Sequence, residues 1–252
     1  MKSFPADMSI VAIIPARQGS KGIKDKNIHE LSGHPLISYS VIAALLVPSI
    51  ERVIVSTDSS EYAEISNLYG AETPFLRPSN ISKDDSKDID FMAHAMKWFD
   101  KEENYCPEYW VHLRPTTPLR EPEIIEDAIQ KILTNDLASS LRSAHVAPES
   151  PFKWYIKDKK GYFENLNASK DELDHLNNPR QKFPEVHIPN GYVDVIRRST
   201  VIEKNLLHGN KILAYQSPYC LEVDSAEEMS MLEFSTQNKE SQLLKFLNKI
   251  KN

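Results

Sequence analysis

Short apolar or β-branched runs recur along the first half of the chain at Val11–Ile14, Arg52–Ser56 and Trp110–Leu113, each bounded by Pro, Gly, Asp or Thr. Between them, Pro35–Leu46, Glu61–Tyr69, Ile89–Phe99 and Pro122–Leu133 space their apolar residues at helical intervals. Strands alternating with helices predict βαβ units, hence an α/β fold with a doubly wound, mostly parallel sheet covered on both faces. Ser59 ahead of Glu61, and Glu121–Pro122 ahead of an apolar stretch, are residue types that start helices.

After Ala138 the rhythm breaks. Ser139–Val146, Lys153–Ile156, Tyr192–Ile196 and Lys211–Gln216 read as strands, while Ser199–Leu206 and Ala226–Phe234 read as helices. The polar tail from Gln237 reads as a marginal last helix. Between Gly161 and Pro189 the chain is polar and punctuated by Pro and Gly. An irregular stretch of that length inside a compact domain serves as a lid, a binding loop or an interface. No linker divides the chain, so residues 1–252 read as one domain, with 146–189 as an insertion.

At 252 residues the chain can bury one substantial core. Its formal net charge of -6 argues against a general nucleic-acid binder. No apolar run approaches the ~20 residues of a membrane span, and the start MKSFPADMS lacks the apolar core of a secretory signal. Cys106 and Cys220 are the only cysteines, too few for a disulfide framework. The expected setting is therefore a reducing cytoplasm without membrane attachment.

The charge is unevenly placed. Directly after the first apolar run come Arg17, Lys21, Lys24 and Lys26, offset only by Asp25. A Gly-rich turn after a first strand suits phosphate, because backbone N–H groups and cations converge there. The P-loop pattern does not fit, since Gly19 and Gly22 are too close and no Gly-Lys-Ser/Thr follows; G-x-G-x-x-G lacks its third glycine. The alternative is a solvated basic turn.

IIPARQGSKGIKDKN resembles the opening motif of the cytidylyltransferases that activate sialic acid and related nonulosonic acids. The resemblance continues in order through VIVSTDSSEYAEIS with YGAE, FLRPSNISKDDS, LRPTTPLREP, NNPRQKFPE and NGYVDVI. It implies a Rossmann-like nucleotidyltransferase fold and transfer of CMP from CTP to the anomeric hydroxyl of an α-keto sugar acid, with Mg2+ as cofactor and release of pyrophosphate. By motif it places Arg17, Ser20, Lys21, Lys26 and Asn27 along the CTP, and Arg77 beside the cytosine. Arg17, Lys21 and Asp224 take the catalytic roles. Preorganised cations would stabilise the charge gathering on a leaving pyrophosphate, and no enzyme nucleophile is needed. The family carries D-x-D where this chain has Glu222-Val223-Asp224; side chains two apart on an extended segment share a face, so both can reach one Mg2+. The alternative is a solvated acidic helix start.

Two departures concern the acceptor. Arg114 stands where the family often has Gln, and Ile188 where it has an arginine, while Arg180 and Asn190 remain as sugar-acid candidates. Arg114 is read either as a carboxylate grip or as the partner of an acid of the chain. The acceptor is a nonulosonic acid or a shorter octulosonic one, the third reading being a nucleotide-binding relic without catalysis. Asp58 is read as a ligand or as a helix cap, and His112 as a core residue rather than a base. The aromatic segment 146–189 is expected to build a homodimer, as the resemblance also implies, or to fold as a lid.

Overall fold

The computed structural model describes residues 9–19, 22–166, 173–238 and 240–250. Its strands are β1 (Ile10–Pro15), β2 (Glu30–Leu31), β3 (His34–Pro35), β4 (Arg52–Ser56), β5 (Tyr109–His112), β6 (Ser140–Val146), β7 (Tyr155–Lys157), β8 (Phe163–Asn165), β9 (His187–Arg197) and β10 (Ile212–Gln216). Its α-helices are α1 (Leu36–Leu45), α2 (Ser60–Leu68), α3 (Asp88–Glu102), α4 (Pro122–Leu133), α5 (Arg198–Ile202), α6 (Ala226–Asn238) and α7 (Gln242–Ile250).

One six-stranded sheet runs in the order β10-β6-β9-β5-β1-β4. β1 sits inside it, parallel to β4 on one side and to β5 on the other. A strand covered on both faces needs an unbroken apolar run, and alternate residues of β1 divide accordingly. Ile10, Ala12 and Ile14 join the core formed with α1, α4 and α7, while Val11 and Ile13 pack with Phe91, Met92, Met96 and Phe99 of α3 and with Trp110. The result is the three-layer α/β arrangement expected from the strand-helix alternation.

β9 runs antiparallel to both β5 and β6. The reason lies in the connection: the chain leaves β6 at the carboxyl edge, makes its excursion beyond Ala147, and re-enters beside β6 without crossing the sheet. A strand returning without a crossover must be antiparallel.

Ser59, not Asp58, caps α2, its side chain accepting from Tyr62 N. Pro122 opens α4 at its first turn, where a missing N–H costs nothing. The expected helix Ser199–Leu206 stops at Ile202, because Asn205 takes a left-handed conformation and Leu206 N turns back to Thr200 O. The expected strand Lys153–Ile156 is displaced to β7, since Pro151–Lys153 form a 3-10 turn.

β7 and β8 pair as a separate hairpin in the excursion. Tyr155 and Phe163 stack across it with ring centroids 5.2 Å apart. Trp154, Tyr162 and Phe163 remain exposed.

Candidate active site

Parallel strands put their carboxyl ends on one edge, and the loops after β1, β4 and β5 meet there. Between them lies a cleft of about 390 Å³ lined by Arg17, Lys26, Asn27, Arg77, Lys83, Lys87, Asp88, Arg114 and Asp224 among others. From the basic turn Arg17, Lys26 and Asn27 reach it, the Asn27 Nδ2 donating to Arg17 O at 3.1 Å, while Lys24 does not line it. Ser20 and Lys21 lie outside the described residues.

The turn after β1 is fixed by backbone contacts. Asp58 Oδ1 accepts from Gln18 N at 2.9 Å, so this carboxylate shapes the turn rather than capping α2. Lys26 reaches across nearly the whole chain, its Nζ donating to Val223 O at 2.7 Å and to Asp224 Oδ1 at 2.8 Å. Gly22 lies so near the same segment that a Cβ there would come within 2.4 Å of Asp224 O. Arg17 extends over the cleft and pairs with Asp84 Oδ1 at 2.7 Å.

Arg77 is buried at the rear. Its Nε donates to Ser56 Oγ at 3.0 Å, Nη2 donates to Ser56 O, and the guanidinium lies 5.0 Å from the Phe91 ring. Burial pulls its pKa down to about 10 against the opposing pull of Asp58 and Asp88, so it stays cationic at neutral pH.

Arg114 follows β5 and lines the cleft, but its fork is engaged within the chain. Nη2 donates to Asp88 Oδ2 at 2.9 Å and Nη1 to Asp194 Oδ2 at 3.2 Å. Beneath it lies fully buried Arg120, quoted in the LRPTTPLREP motif yet given no role by the sequence. Its Nε donates to Tyr192 O at 2.6 Å, Nη1 to Ser40 Oγ at 2.8 Å, and Nη2 to Arg114 O and Gly191 O at 2.6 Å each. Gly191 is needed here, because a Cβ would meet Thr117 Oγ1 at 2.5 Å.

The carboxylates of Glu222 and Asp224 are turned to different partners. Glu222 Oε1 accepts from Gly191 N at 2.8 Å and does not line the cleft, whereas Asp224 does. Ser225 and Glu228 form a reciprocal cap at the start of α6, with Glu228 Oε2 also accepting from Asp224 N at 2.7 Å. No group of three or more metal-binding side chains occurs among the described residues. Arg180 and Asn190 also lie off the cleft. Arg180 donates to Ala147 O and Pro148 O, and the Asn190 amide bonds Ser143 Oγ and Ser217 Oγ between β6 and its surroundings.

Around Asp194, which is fully buried on β9, stand Arg114, Arg142, His112 and His208, the last three with ring or guanidinium nitrogens 3.8–3.9 Å away. Burial lowers both histidines, His112 well below 6.5 and His208 to about 4, and the neighbouring arginines add to the effect. His112 is thus a neutral core residue. In the unfolded chain both histidines gain a proton as pH falls through about 6.5; in the fold they do so only at lower pH. The unfolded state then binds more protons, so acidification destabilises the fold. We expect a loss of up to about 1.4 kcal/mol per pH unit for each histidine below about pH 6.5. Asp194, raised by burial, opposes this only between the ordinary carboxylate value and its own. Urea melts from about pH 7.5 to about pH 5.5 check the slope, and a flat profile would contradict it.

A family model described as Cytidylyltransferase matches residues 11–200. The chain belongs to the cytidylyltransferase family. That match spans β1 through β9 and takes in Arg17, Lys26, Arg77 and Arg114, while Glu222 and Asp224 lie beyond it. This cytidylyltransferase is 29% identical over 245 residues to an N-acylneuraminate cytidylyltransferase of Escherichia coli O18:K1:H7, covering 96% of this chain and 56% of that protein. It is 37% identical over 123 residues to a CMP-N,N'-diacetyllegionaminic acid synthase of Legionella pneumophila, covering 49% and 53% respectively. The chain spans about half the length of these curated relatives. Among solved structures, a CMP:2-keto-3-deoxy-manno-octonic acid synthetase complexed with CTP superposes with a TM-score of 0.66 at 15% identity, covering 91% of this chain and 99% of that one. At that identity the likeness shows the fold.

Proposed function

We propose that this cytidylyltransferase moves CMP from CTP to the anomeric hydroxyl of a nonulosonic, sialic-acid-like α-keto sugar acid and releases pyrophosphate. The observation that carries the reading is the convergence of Arg17, Lys26, Arg77, Lys83 and Lys87 on one cleft in a chain of net charge -6. A polyanionic substrate explains it, and the activities that name the relatives suggest the acceptor class. In this reaction the acceptor hydroxyl oxygen bonds to the α-phosphorus as the bond to the bridging oxygen of pyrophosphate breaks, and the hydroxyl proton passes to solvent. Arg17 and Lys26, held by backbone and carboxylate contacts, present fixed positive charge where the departing group becomes more anionic. Arg77 at the rear offers the nucleobase a planar set of donors.

Mg2+ fits as a one-carboxylate site. Asp224 brings a hard oxygen ligand to the cleft, and this ion is commonly held by one or two carboxylates with substrate phosphates and water. When bound it would neutralise phosphate charge; Glu222, committed to Gly191 N, is the less suited of the pair. The exposed aromatics of the β7–β8 hairpin support a homodimer built through the excursion. Light scattering at micromolar concentration should return twice the chain mass, and a monomer would favour a lid.

The deciding experiment follows pyrophosphate release from CTP with a panel of nonulosonic and octulosonic acids, with and without a divalent-cation chelator. Release with at least one nonulosonic acid, abolished by chelation, is expected. CTP binding without release for any acid would overturn the transfer reading.

A further inference from the structure

Arg114 stands between two carboxylates of different character. Asp194 is completely buried, whereas the Asp88 side chain is 39% exposed and sits on the cleft wall at the first residue of α3. With His112 and His208 neutral, the cations facing Asp194 among the described residues are Arg114, at 3.2 Å, and Arg142, whose Nε is 3.8 Å away and has no hydrogen-bond partner among them. Withdrawing Arg114 would strand a buried charge, which is strongly unfavourable. Asp88 faces water, so losing its partner costs it little. The Arg114 main chain is pinned as well, through its carbonyl to Arg120.

We propose that Asp194 is the fixed counter-ion that holds Arg114 in place, and Asp88 a displaceable one. An anionic group of the acceptor would then bind by replacing Asp88 at the Nη2 side of the guanidinium. This deepens the acceptor half of the proposed function and rests on it. Asp88 thereby acts as a built-in competitor: an apparent affinity is reduced by the fraction of time the binding group is covered. Asp194 is a positioning residue that acts on the acceptor only through Arg114.

Two neutral isosteres separate this arrangement from a structural ion-pair network, because they are expected to move acceptor binding in opposite directions. Asp88→Asn removes the competitor and should tighten acceptor binding roughly three- to tenfold. Asp194→Asn frees the guanidinium to drift and should weaken it at least about tenfold. The KM for CTP should shift by less than about twofold in both. Calorimetric binding of each acid in the panel is measured alongside pyrophosphate release. Shifts in the same direction, or no shift in either variant, would overturn the proposal. Should Asp194→Asn not fold, Asp88→Asn decides alone, because the loss of a merely structural ion pair would not tighten binding. If binding shifts as expected while no acid supports pyrophosphate release, the arrangement stands and the transfer reading falls. If no acid binds to wild type or variants, the arrangement itself is rejected.

Discussion

Arg17→Ala is expected to slow pyrophosphate release from CTP by on the order of 30- to 1000-fold while leaving stability within about 1 kcal/mol of wild type. The two halves of that expectation have separate causes. Arg17 is a partly exposed side chain, and its ion pair to Asp84 is itself exposed. Such pairs contribute little to folding because water screens them and two long side chains must be held still. At the cleft the same guanidinium faces the position proposed for the phosphates. A fixed cation aimed at developing charge is worth about 2–4 kcal/mol in the transition state. Steady-state kinetics beside a urea melt test both halves. Normal turnover would remove Arg17 from the proposed machinery, and a large loss of stability would make it a structural residue.

Arg120→Met should have the reverse profile, lowering the unfolding free energy by roughly 3–5 kcal/mol. Burial already costs this residue something, since it draws the guanidinium pKa down to about 10. Removing the charge returns roughly 3 kcal/mol. Against that stand the hydrogen bonds to Tyr192 O, Ser40 Oγ, Arg114 O and Gly191 O. Charged hydrogen bonds are worth about 1.5–3 kcal/mol each, and methionine would leave the acceptors buried without a donor. The loss wins. A urea melt showing less than about 1 kcal/mol of change would mean that water takes over those carbonyls.

The sequence pattern was most legible where a residue's own neighbourhood decides its structure. The two-sided apolar run of β1 reports its central place, and Pro122 marks the start of α4 without help from elsewhere. Arg17, Lys26 and Arg77, placed by motif, line one cleft because the strand ends beside them share one edge. What stayed hidden depends on distant pairing. The reversed direction of β9 follows from the path of the excursion, not from any residue within the strand. Arg114 finds Asp88 26 positions away and Asp194 80 positions away, so only the fold could show that its fork is occupied. Asp58 and Ser59 were separated by a single position, and side-chain direction alone assigned the cap to the second. Arg120 carried one available signal: a charge between Pro118 and Pro122 with neither a helical face nor a charged neighbour except Glu121. The motif alone assigns Arg180 to the acceptor, and no local signal shows that its guanidinium donates to Ala147 O and Pro148 O at the base of the excursion.

The contact of the first turn with the segment around Asp224 bears on how the protein comes off the ribosome. Lys26 Nζ lies against Val223 O and Asp224 Oδ1, and Gly22 is pressed beneath the Asp224 carbonyl. These groups are separated by 197 and 198 positions for the lysine pair. A nascent chain holds the residues of β1, β4 and β5 once Tyr109–His112 has emerged. The core they share, however, also takes in Val193 and Val195 of β9 and Leu243 and Leu247 of α7, and a domain folds as a unit. The chain cannot seat the lysine until the stretch beyond β10 has been made. Translation thus yields the basic turn early and its counterpart around Asp224 much later, so a stalled or prematurely terminated product would lack one wall of its cleft.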